Sequence, residues 1–463
     1  MFFRHFFDPR LAQASYLVGC QATGEALVID PNRDVAQYIA AAAAEKLRIT
    51  HVTETHIHAD FLSGARELAQ RTGAELLLSG EGGPDWTYAF TAESRARLVH
   101  DGTTFMVGNL RIEVLHTPGH TPEHLAFLLT DTPASSQPVM LFTGDFVFVG
   151  DVGRPDLLEK AANMIGTMEA GARVLWKSLE RFRALPDHIQ VWPGHGAGSA
   201  CGKALGAVPS TTVGYEKMVN WGVSAPDEAT FVRGVLEGQP EPPAYFAMMK
   251  KLNKEGPALL GDRPAVMPLD DAAAEALMTA GAIVLDVRPS PEFTAGHHRG
   301  AINVPLAKSL ANFAGSLVPY ATPIVIVAAD LATATAARYD LSLIGLDDVR
   351  GMITPTQLPH RGGARLLQMS AREALDHAAT GAFILDVRGQ SEWDAGHLPE
   401  ATLLPLPELH RRWQELPTDR PILVHCQGGT RSPMAASFLQ RVGLSVVDVL
   451  GGFAALRSTR GHE

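Results

Sequence analysis

Histidines and carboxylates recur in the first half of the chain in short runs that suit a metal ion. These are Thr55-His56-Ile57-His58-Ala59-Asp60-Phe61, Thr117-Pro118-Gly119-His120-Thr121, Phe142-Thr143-Gly144-Asp145 and Trp192-Pro193-Gly194-His195-Gly196. Imidazole together with carboxylate suits borderline divalent metals. The end of the chain offers a different chemistry. Val424-His425-Cys426-Gln427-Gly428-Gly429-Thr430-Arg431-Ser432 sets a cysteine in a Gly-containing loop between an apolar strand and a helix. A thiol there faces successive backbone N–H groups and a helix N-terminus, both of which favour a thiolate or a bound persulfide. Arg431 is expected to close the loop and to bind sulfite or thiosulfate oxygens. A buried inert cysteine is the bland alternative, and the polar, Gly-rich flank argues against it.

The elements that must position these groups can be read from apolar patterning. Ala26-Leu-Val-Ile-Asp30 reads as a strand and 35–46 as an alanine-rich helix. Ile49 to Thr55 reads as a strand ending at His56, and Ser63 to Arg71 as a helix with Ala65, Leu68 and Ala69 on one face. Several β segments follow over 105–150, then a helix near 164–183 and a strand Ile189-Gln-Val-Trp192. This arrangement leaves the histidines in loops at strand ends, where a β scaffold builds sites. In the second half a unit of about 100 residues repeats, too long for a solenoid. Ile283-Val-Leu-Asp286-Val-Arg288 with Glu292 and Gly296-His297 reappears as Ile384-Leu-Asp386-Val-Arg388 with Glu392 and Gly396-His397. Each unit alternates short apolar strands with helical segments, which is α/β.

A chain of 463 residues exceeds one core. The expected division is 1–245 metal domain, 246–267 linker (from the Pro240-Glu-Pro-Pro243 stretch onward), and α/β repeats at 268–360 and 361–463. Hydrophobic residues at 46% and charged residues at 19% are an ordinary globular balance. A net charge of −11 argues against nucleic-acid or anionic-membrane partners, so anionic substrates need a local basic pocket. The three cysteines, Cys20, Cys201 and Cys426, are too few and too far apart for a disulfide framework. No apolar run approaches a membrane span and the first residues lack a signal-peptide pattern, so a cytoplasmic protein is expected. Cys20 reads as a packed strand residue. Cys201 lies in Gly196-Ala-Gly-Ser-Ala-Cys201-Gly, a loop expected to border the metal pocket, where a thiol could hold a persulfide transiently or sense oxidation.

Taken in order, the four histidine and carboxylate motifs resemble the metallo-β-lactamase superfamily over roughly residues 1–245. The resemblance implies an αββα fold and a metal triad of His56, His120 and Asp145, with positions left open for O₂ and substrate. The glycines of Pro-Gly-His and Thr-Gly-Asp would let the backbone turn close to the ion. The superfamily's first motif, H-x-H-x-D-H, ends in a residue that helps to bind a second metal. Phe61 stands there, and phenylalanine cannot ligate. A mononuclear centre is therefore expected, with His58, Asp60 and His195 orienting ligands or substrate. Together with Gly150-Asp-Val-Gly153-Arg154-Pro-Asp156-Leu, the pattern resembles the persulfide dioxygenases, which are mononuclear Fe(II) enzymes. That resemblance gives Arg154 a role in docking an anionic thiol carrier, against the alternative of a salt bridge to Asp156 or Asp151. For His116 and His124 an ordinary hydrogen-bonded role is favoured.

The Cys426 loop resembles protein phosphatases in its Cys-x5-Arg spacing. Asp386-Val-Arg388, Glu392 and Gly396-His397 instead make both repeats similar to rhodaneses, so the second half is expected to be two α/β rhodanese-like domains. Aligned without a gap from Gly345 and Gly443, the two repeats put Ala328 opposite Cys426 and Thr333 opposite Arg431. The middle domain is thus expected to be inactive, serving spacing, docking or channel shaping.

The whole chain resembles bacterial fused persulfide dioxygenase–sulfurtransferases. That implies one Fe(II) per metal domain, with Zn or Mn as alternatives. It also implies a low-molecular-weight thiol persulfide (glutathione, coenzyme A or similar), O₂ and sulfite or thiosulfate as reactants, a sulfur-carrying Cys426, and a homo-oligomer. Three other readings stand beside it. One is a Zn-dependent thioester hydrolase of the glyoxalase II type with an appended sulfurtransferase. Another is a sulfurtransferase with a structural metal domain. The last is a non-enzymatic sulfur-stress sensor or scaffold.

Overall fold

The computed structural model describes residues 1–157, 166–203, 205–357 and 363–461. The chain divides into two compact units, Met1–Arg263 and Pro264–Glu463.

The first unit is a sandwich of two six-stranded sheets. One runs in the order β1 (Phe2–Asp8), β2 (Gln13–Cys20), β3 (Glu25–Ile29), β4 (Arg48–Thr53), β5 (Glu75–Ser79), β6 (Arg97–Val99). The other runs from β7 (Thr104–Val107) through β8 (Leu110–His116), β9 (Leu125–Asp131), β10 (Met140–Gly144) and β11 (Gln190–Pro193) to β12 (Thr211–Thr212). Apolar side chains from the two inner faces, among them Tyr16, Leu27, Ile29, Leu77, Ile112, Val114, Phe127 and Phe142, form the middle core. The helices Val35–Ala44 and Ala65–Thr72 cover one outer face, and Thr167–Ala184 and Glu228–Leu236 the other. This is the αββα architecture. All of β2 is buried, which explains why Gln13–Cys20 shows no polar–apolar alternation. The expected start of the third helix at 164–165 lies outside the described residues; its described part runs Thr167–Ala184.

The segment expected as a linker, 246–267, is in large part structured. Phe246–Glu255 is a helix that buries Phe246, Met249 and Asn253. Asn253 Nδ2 donates to the carbonyls of His58 and Phe61, each at 2.8 Å, and its Oδ1 accepts the Ser63 N–H at 2.9 Å. Leu260 and Gly261 donate their N–H groups to Glu67. Proline and charge made this stretch look like a connector. Two buried apolar residues, Phe246 and Met249, and one buried amide, Asn253, fasten it to the histidine loop.

The second unit holds two successive parallel α/β sheets. The first is ordered β15 (Ile302–Asn303), β13 (Ile283–Asp286), β16 (Ile324–Val327), β17 (Val349–Ile353). The second is ordered β19 (Leu367–Met369), β23 (Val446–Val449), β22 (Ile422–His425), β20 (Phe383–Asp386), β21 (Ala401–Leu403). A short ladder, β14 (His297–His298) with β18 (Gly363–Ala364), joins them. The expected boundary at 360/361 lies outside the described residues. Among the described residues, no helix is long and apolar enough to cross a membrane.

Replacing Asn253 with alanine leaves one buried N–H and two carbonyls without that partner. The substitution should cost roughly 2–4 kcal/mol. A lowered melting temperature of the first unit, with the second unit's transition unmoved, is the expected calorimetric result.

Candidate functional site

The metal candidates meet at one end of the sandwich. His56 follows β4, His120 lies in the β8–β9 loop, Asp145 follows β10 and His195 follows β11. His56, His120 and Asp145 are buried and bring one ligand atom each within 4.8 Å of one another. Asp145 Oδ2 is 3.8 Å from His56 Nε2 and 3.5 Å from His120 Nε2. Both distances lie inside the roughly 4.2 Å that two bonds of about 2.1 Å to one ion can span. His56 Nε2 and Asp145 Oδ2 have no hydrogen-bond partner although both are buried. Orphaned polar atoms are costly unless something outside the chain satisfies them. The donor set therefore fits a divalent ion.

His56 Nδ1, His120 Nδ1 and Asp145 Oδ1 are each committed to a partner. His56 Nδ1 meets Thr55 Oγ1 at 2.9 Å, and that hydroxyl donates to Asp30 Oδ2 at 2.9 Å. His120 Nδ1 donates to the Arg154 carbonyl at 3.0 Å. Each imidazole is thereby oriented with Nε2 toward the site. Burial first, then the neighbouring imidazoles, holds His56 well below its ordinary range, and burial lowers His120, so both stay neutral and able to ligate. Asp145 Oδ1 accepts His195 Nδ1 at 2.6 Å, while His195 Nε2 donates to Asp60 Oδ2 at 2.6 Å. Burial alone would raise Asp145, but the His195 imidazole holds it well below the usual carboxylate range. Burial opposes charge on His195, yet Asp145 and Asp60 on either side push it well above an ordinary histidine. His195 thus acts as a cationic clamp on Asp145.

The positions around the triad divide into those brought to it and those turned to other work. His58 packs against His56, ring centroids 4.2 Å apart, and its Nε2 donates to Asp30 Oδ1 at 3.1 Å. Phe61 is fully buried and lies 4.3 Å from the His58 ring. Asp60, His195 and Cys201 form a second buried group within 4.8 Å. Cys201 borders the centre as its loop position suggested. Burial first, then Asp145 and Asp60, pushes its thiol well up, so it is held protonated. Arg154 does not face a pocket. It is fully buried, with Nε and Nη2 on Asp156 at 2.8 and 2.7 Å and Nη1 on the Ala200 carbonyl at 2.9 Å. Its expected role in docking an anionic carrier gives way to holding the loop of Cys201 against the loop after Asp145. His124 receives the Asp145 N–H at 3.1 Å and pairs with Thr117, and His116 pairs with the Pro122 carbonyl. Gly144 has φ +49°, and a Cβ there would sit 2.5 Å from Thr55 Oγ1, so Thr-Gly-Asp needs its glycine.

Asp30 was not singled out by its sequence context. It accepts the Thr55 N–H at 2.6 Å, the Thr55 hydroxyl and His58, so it fixes both histidines of the first motif. The one signal available was a carboxylate closing an otherwise apolar strand.

In the second unit, Cys426 follows β22 and precedes the helix Ser432–Arg441. Its Sγ accepts the N–H groups of Gly429 at 3.2 Å and Arg431 at 3.3 Å. Burial alone would raise this thiol. The hydrogen bonds from Ser432, Arg431 and Gly429 outweigh it, and the group titrates below its ordinary value. The Arg431 guanidinium, expected to close the loop and bind sulfite or thiosulfate oxygens, is engaged by a carboxylate. It forms a two-pronged pair with Glu392 at 2.6 and 2.7 Å, so Arg431 serves the thiol through its backbone and braces the loop with its side chain. In the middle domain the loop 328–333 has no thiol, and Asp330 caps the helix Leu331–Ser342 through the Thr333 N–H at 2.7 Å.

A family model described as the metallo-beta-lactamase superfamily matches residues 8–195, and one described as the rhodanese-like domain matches 270–352 and 370–459. The chain is similar to a crystallised metallo-beta-lactamase from Staphylococcus aureus subsp. aureus COL, with 46% identity, 76% of this chain and 99% of that chain covered, and a TM-score of 0.70. It is 34% identical over 183 residues to a hydroxyacylglutathione hydrolase of Rhodospirillum rubrum, covering 39% of this chain and 60% of that protein. It is 29% identical over 197 residues to a mitochondrial persulfide dioxygenase of Bos taurus, covering 42% of this chain and 67% of that protein. The chain spans about half the length of the first curated relatives it matches, 53% in two of them.

Asp30→Asn should weaken metal binding by about 10–100-fold, because the two histidines lose the carboxylate that orients them. Competition with a chromogenic chelator at constant pH reads this directly. An unchanged affinity would remove Asp30 from the site.

Proposed function

We propose, for a chain that belongs to the metallo-β-lactamase superfamily and carries two rhodanese-like domains after that fold, a persulfide dioxygenase coupled to a sulfurtransferase. The observation that carries this reading is Phe61. It is fully buried beside His58, at the position where a dinuclear centre needs a ligand. His58 is turned to Asp30, and both nitrogens of His195 donate to carboxylates. Those groups then serve to orient the triad, and the position of Phe61 supplies no ligand to a second ion. A dinuclear hydrolase needs two ions to hold hydroxide and polarise its substrate. A single ion with open positions suits a redox reaction.

A resident Fe(II) would supply the redox capacity for a persulfide, O₂ and one water to give sulfite, the free thiol and two protons. The chain's own part is to place and insulate. His56, His120 and Asp145 would hold the metal. Thr55, Asp30 and the Arg154 carbonyl fix the two rings, and His195 takes one Asp145 oxygen so that the other faces the site. Phe61, against the His58 ring, and Phe148, 6.4 Å from the His195 ring, are both fully buried and add apolar surface beside these groups.

In the last domain the Cys426 thiolate attacks the sulfane sulfur of a second persulfide. The S–S bond breaks with its electron pair going to the departing thiolate, and Cys426 keeps the sulfur. Sulfite then takes that sulfur as thiosulfate and frees the Cys426 thiolate. Joining the two activities in one chain raises the effective concentration of sulfite at the second centre. Glutathione or coenzyme A would carry the persulfide.

The test is O₂ consumption by iron-reconstituted protein given a glutathione or coenzyme A persulfide, with sulfite and thiosulfate quantified. The parent should consume O₂ and form thiosulfate. Cys426→Ser should still consume O₂ and should accumulate sulfite. Lack of O₂ uptake, together with thioester hydrolysis by a zinc form, would return the metal domain to the hydrolases.

A further inference from the structure

The cations at the Cys426 loop are already spent. Two guanidiniums are hydrogen-bonded there, and each holds a carboxylate. Arg431 Nη1 and Nη2 donate to Glu392 Oε2 and Oε1 at 2.6 and 2.7 Å. Arg388 Nη2 donates to Asp386 Oδ2 at 2.7 Å, and its Nη1 donates to the Gln427 amide oxygen at 2.9 Å. His425 is fully buried, and burial holds it below its ordinary range, so it stays neutral. Once Cys426 ionises, these groups together carry one net negative charge.

The two pairs differ in place. The side chains of Arg388 and Asp386 are 2% and 0% exposed, whereas those of Arg431 and Glu392 are 25% and 34% exposed. The inner pair recurs in the middle domain, where Arg288 Nη2 donates to Asp286 at 2.6 Å. The outer pair does not recur. Thr333 stands at the position of Arg431, while Glu292 keeps that of Glu392. The inner pair belongs to the fold, and the outer arginine goes with the thiol. Its own backbone N–H donates to Cys426 Sγ at 3.3 Å, so its guanidinium starts beside whatever approaches the sulfur. Glu392 has taken it first.

That occupation separates two classes of sulfur donor. A protonated thiol persulfide brings no charge to the bond that breaks. The Cys426 thiolate attacks its outer sulfur, a new S–S bond forms, and the old bond breaks with its electron pair on the departing thiolate. Thiosulfate yields its outer sulfur in the same way, and the electron pair leaves on sulfite. Thiosulfate, however, brings two negative charges and oxygens that call for charge-assisted donors. The guanidinium whose fork suits them is held at both prongs by a carboxylate. Loading from thiosulfate therefore has to break that pair, and loading from a persulfide does not.

We propose that Glu392 is the positioning residue that sets the donor class: by holding Arg431, it makes Cys426 take sulfur from thiol persulfides in preference to thiosulfate. The inference rests on the sulfur-transfer reading of Cys426. Passing the sulfur to sulfite is the reverse of loading from thiosulfate, so the pair also slows that step when sulfite is dilute. A sulfite-forming centre on the same chain offsets this by raising sulfite locally. In return, thiosulfate that has accumulated reloads the cysteine slowly.

The experiment follows Cys426 loading in the full chain without O₂. Glutathione persulfide or thiosulfate is the donor, and the cysteine-bound persulfide is read by mass spectrometry against donor concentration. The parent should prefer the persulfide. In Glu392→Gln that preference should fall about tenfold, because one partly exposed like charge is gone and the guanidinium is released. The change should lie in the half-saturating concentration of thiosulfate and not in its limiting rate. The glutamine oxygen can still accept the Gly389 N–H that Glu392 accepts at 3.2 Å, so the helix cap is kept. Adding Arg431→Gln to Glu392→Gln should return the preference to that of the parent. A second reading needs no sulfur transfer: sulfate should protect Cys426 of Glu392→Gln from iodoacetamide at about tenfold lower concentration than in the parent. A preference and a sulfate protection that Glu392→Gln both leaves as in the parent would overturn the proposal. So would loss of thiosulfate loading in Arg431→Gln alone, which would put the guanidinium on the oxyanion in the parent already. Sulfate protection that rises in Glu392→Gln, in a chain that no donor loads, would uphold the hold of Glu392 on Arg431 and overturn the sulfur-transfer reading instead.

Discussion

Desolvation governs the metal end of the sandwich. His56, His58, His120, His124 and His195 and the carboxylates Asp30, Asp60 and Asp145 are each at most 4% exposed and crowd into one region. Burying that many ionisable groups is tolerable only if charges alternate and hydrogen bonds are complete. The structure meets this by threading imidazoles between carboxylates: His58 on Asp30, and His195 between Asp60 and Asp145. Once those pairings are made, His56 Nε2, His58 Nδ1, Asp60 Oδ1 and Asp145 Oδ2 remain unpartnered among these groups, and the first and last of them face each other across the triad. This is why Arg154 takes Asp156 as its partner in a fully buried pair and cannot also serve an incoming anion.

The last domain solves a smaller version of the same problem by other means. A buried thiolate needs donors, and the loop supplies them from its backbone, with Gly429 at φ +96° as one donor. Cations at hand are neutralised by Glu392 and Asp386. The negative charge on sulfur is therefore stabilised by dipoles at close range, which salt and solvent screen little, and not by a free guanidinium.

Much of this was legible from residue types and order. The four metal motifs, the αββα and α/β classes, the duplication at a period of about 100 residues and the cysteine loop all follow from short contiguous patterns. What was not legible is the choice of partner. For Arg154 the sequence offered Asp156 or Asp151 beside a docking role, and for Arg431 it offered no carboxylate; the structure gives Asp156 and Glu392. Asp30 lies 28 positions from His58 and Asn253 lies 195 from it, so nothing local links them. The stretch 246–255 failed for a related reason. Its composition suits a connector, and its anchor is a single amide whose three bonds all run to a distant loop.

The middle domain has a visible structural task even without a thiol. The helix Ser432–Arg441 begins at the Cys426 loop, and every residue from Ser432 to Leu439 is buried. One face packs on its own sheet. The other lies against the middle domain, where the Asn303 N–H donates to Ser437 Oγ at 2.9 Å and Arg441 donates to the Gly300 carbonyl at 2.8 Å. His297, fully buried on the middle domain, meets Gln440 Oε1 at 2.9 Å. A helix free on one side would tilt with thermal motion and carry its first turn with it. Thiolate stabilisation by backbone N–H groups at 3.2 and 3.3 Å depends steeply on where that turn sits. Clamping the helix at its far end therefore protects the geometry at its near end. The domain without a thiol thus packs against the far end of the helix that opens at the other domain's thiol.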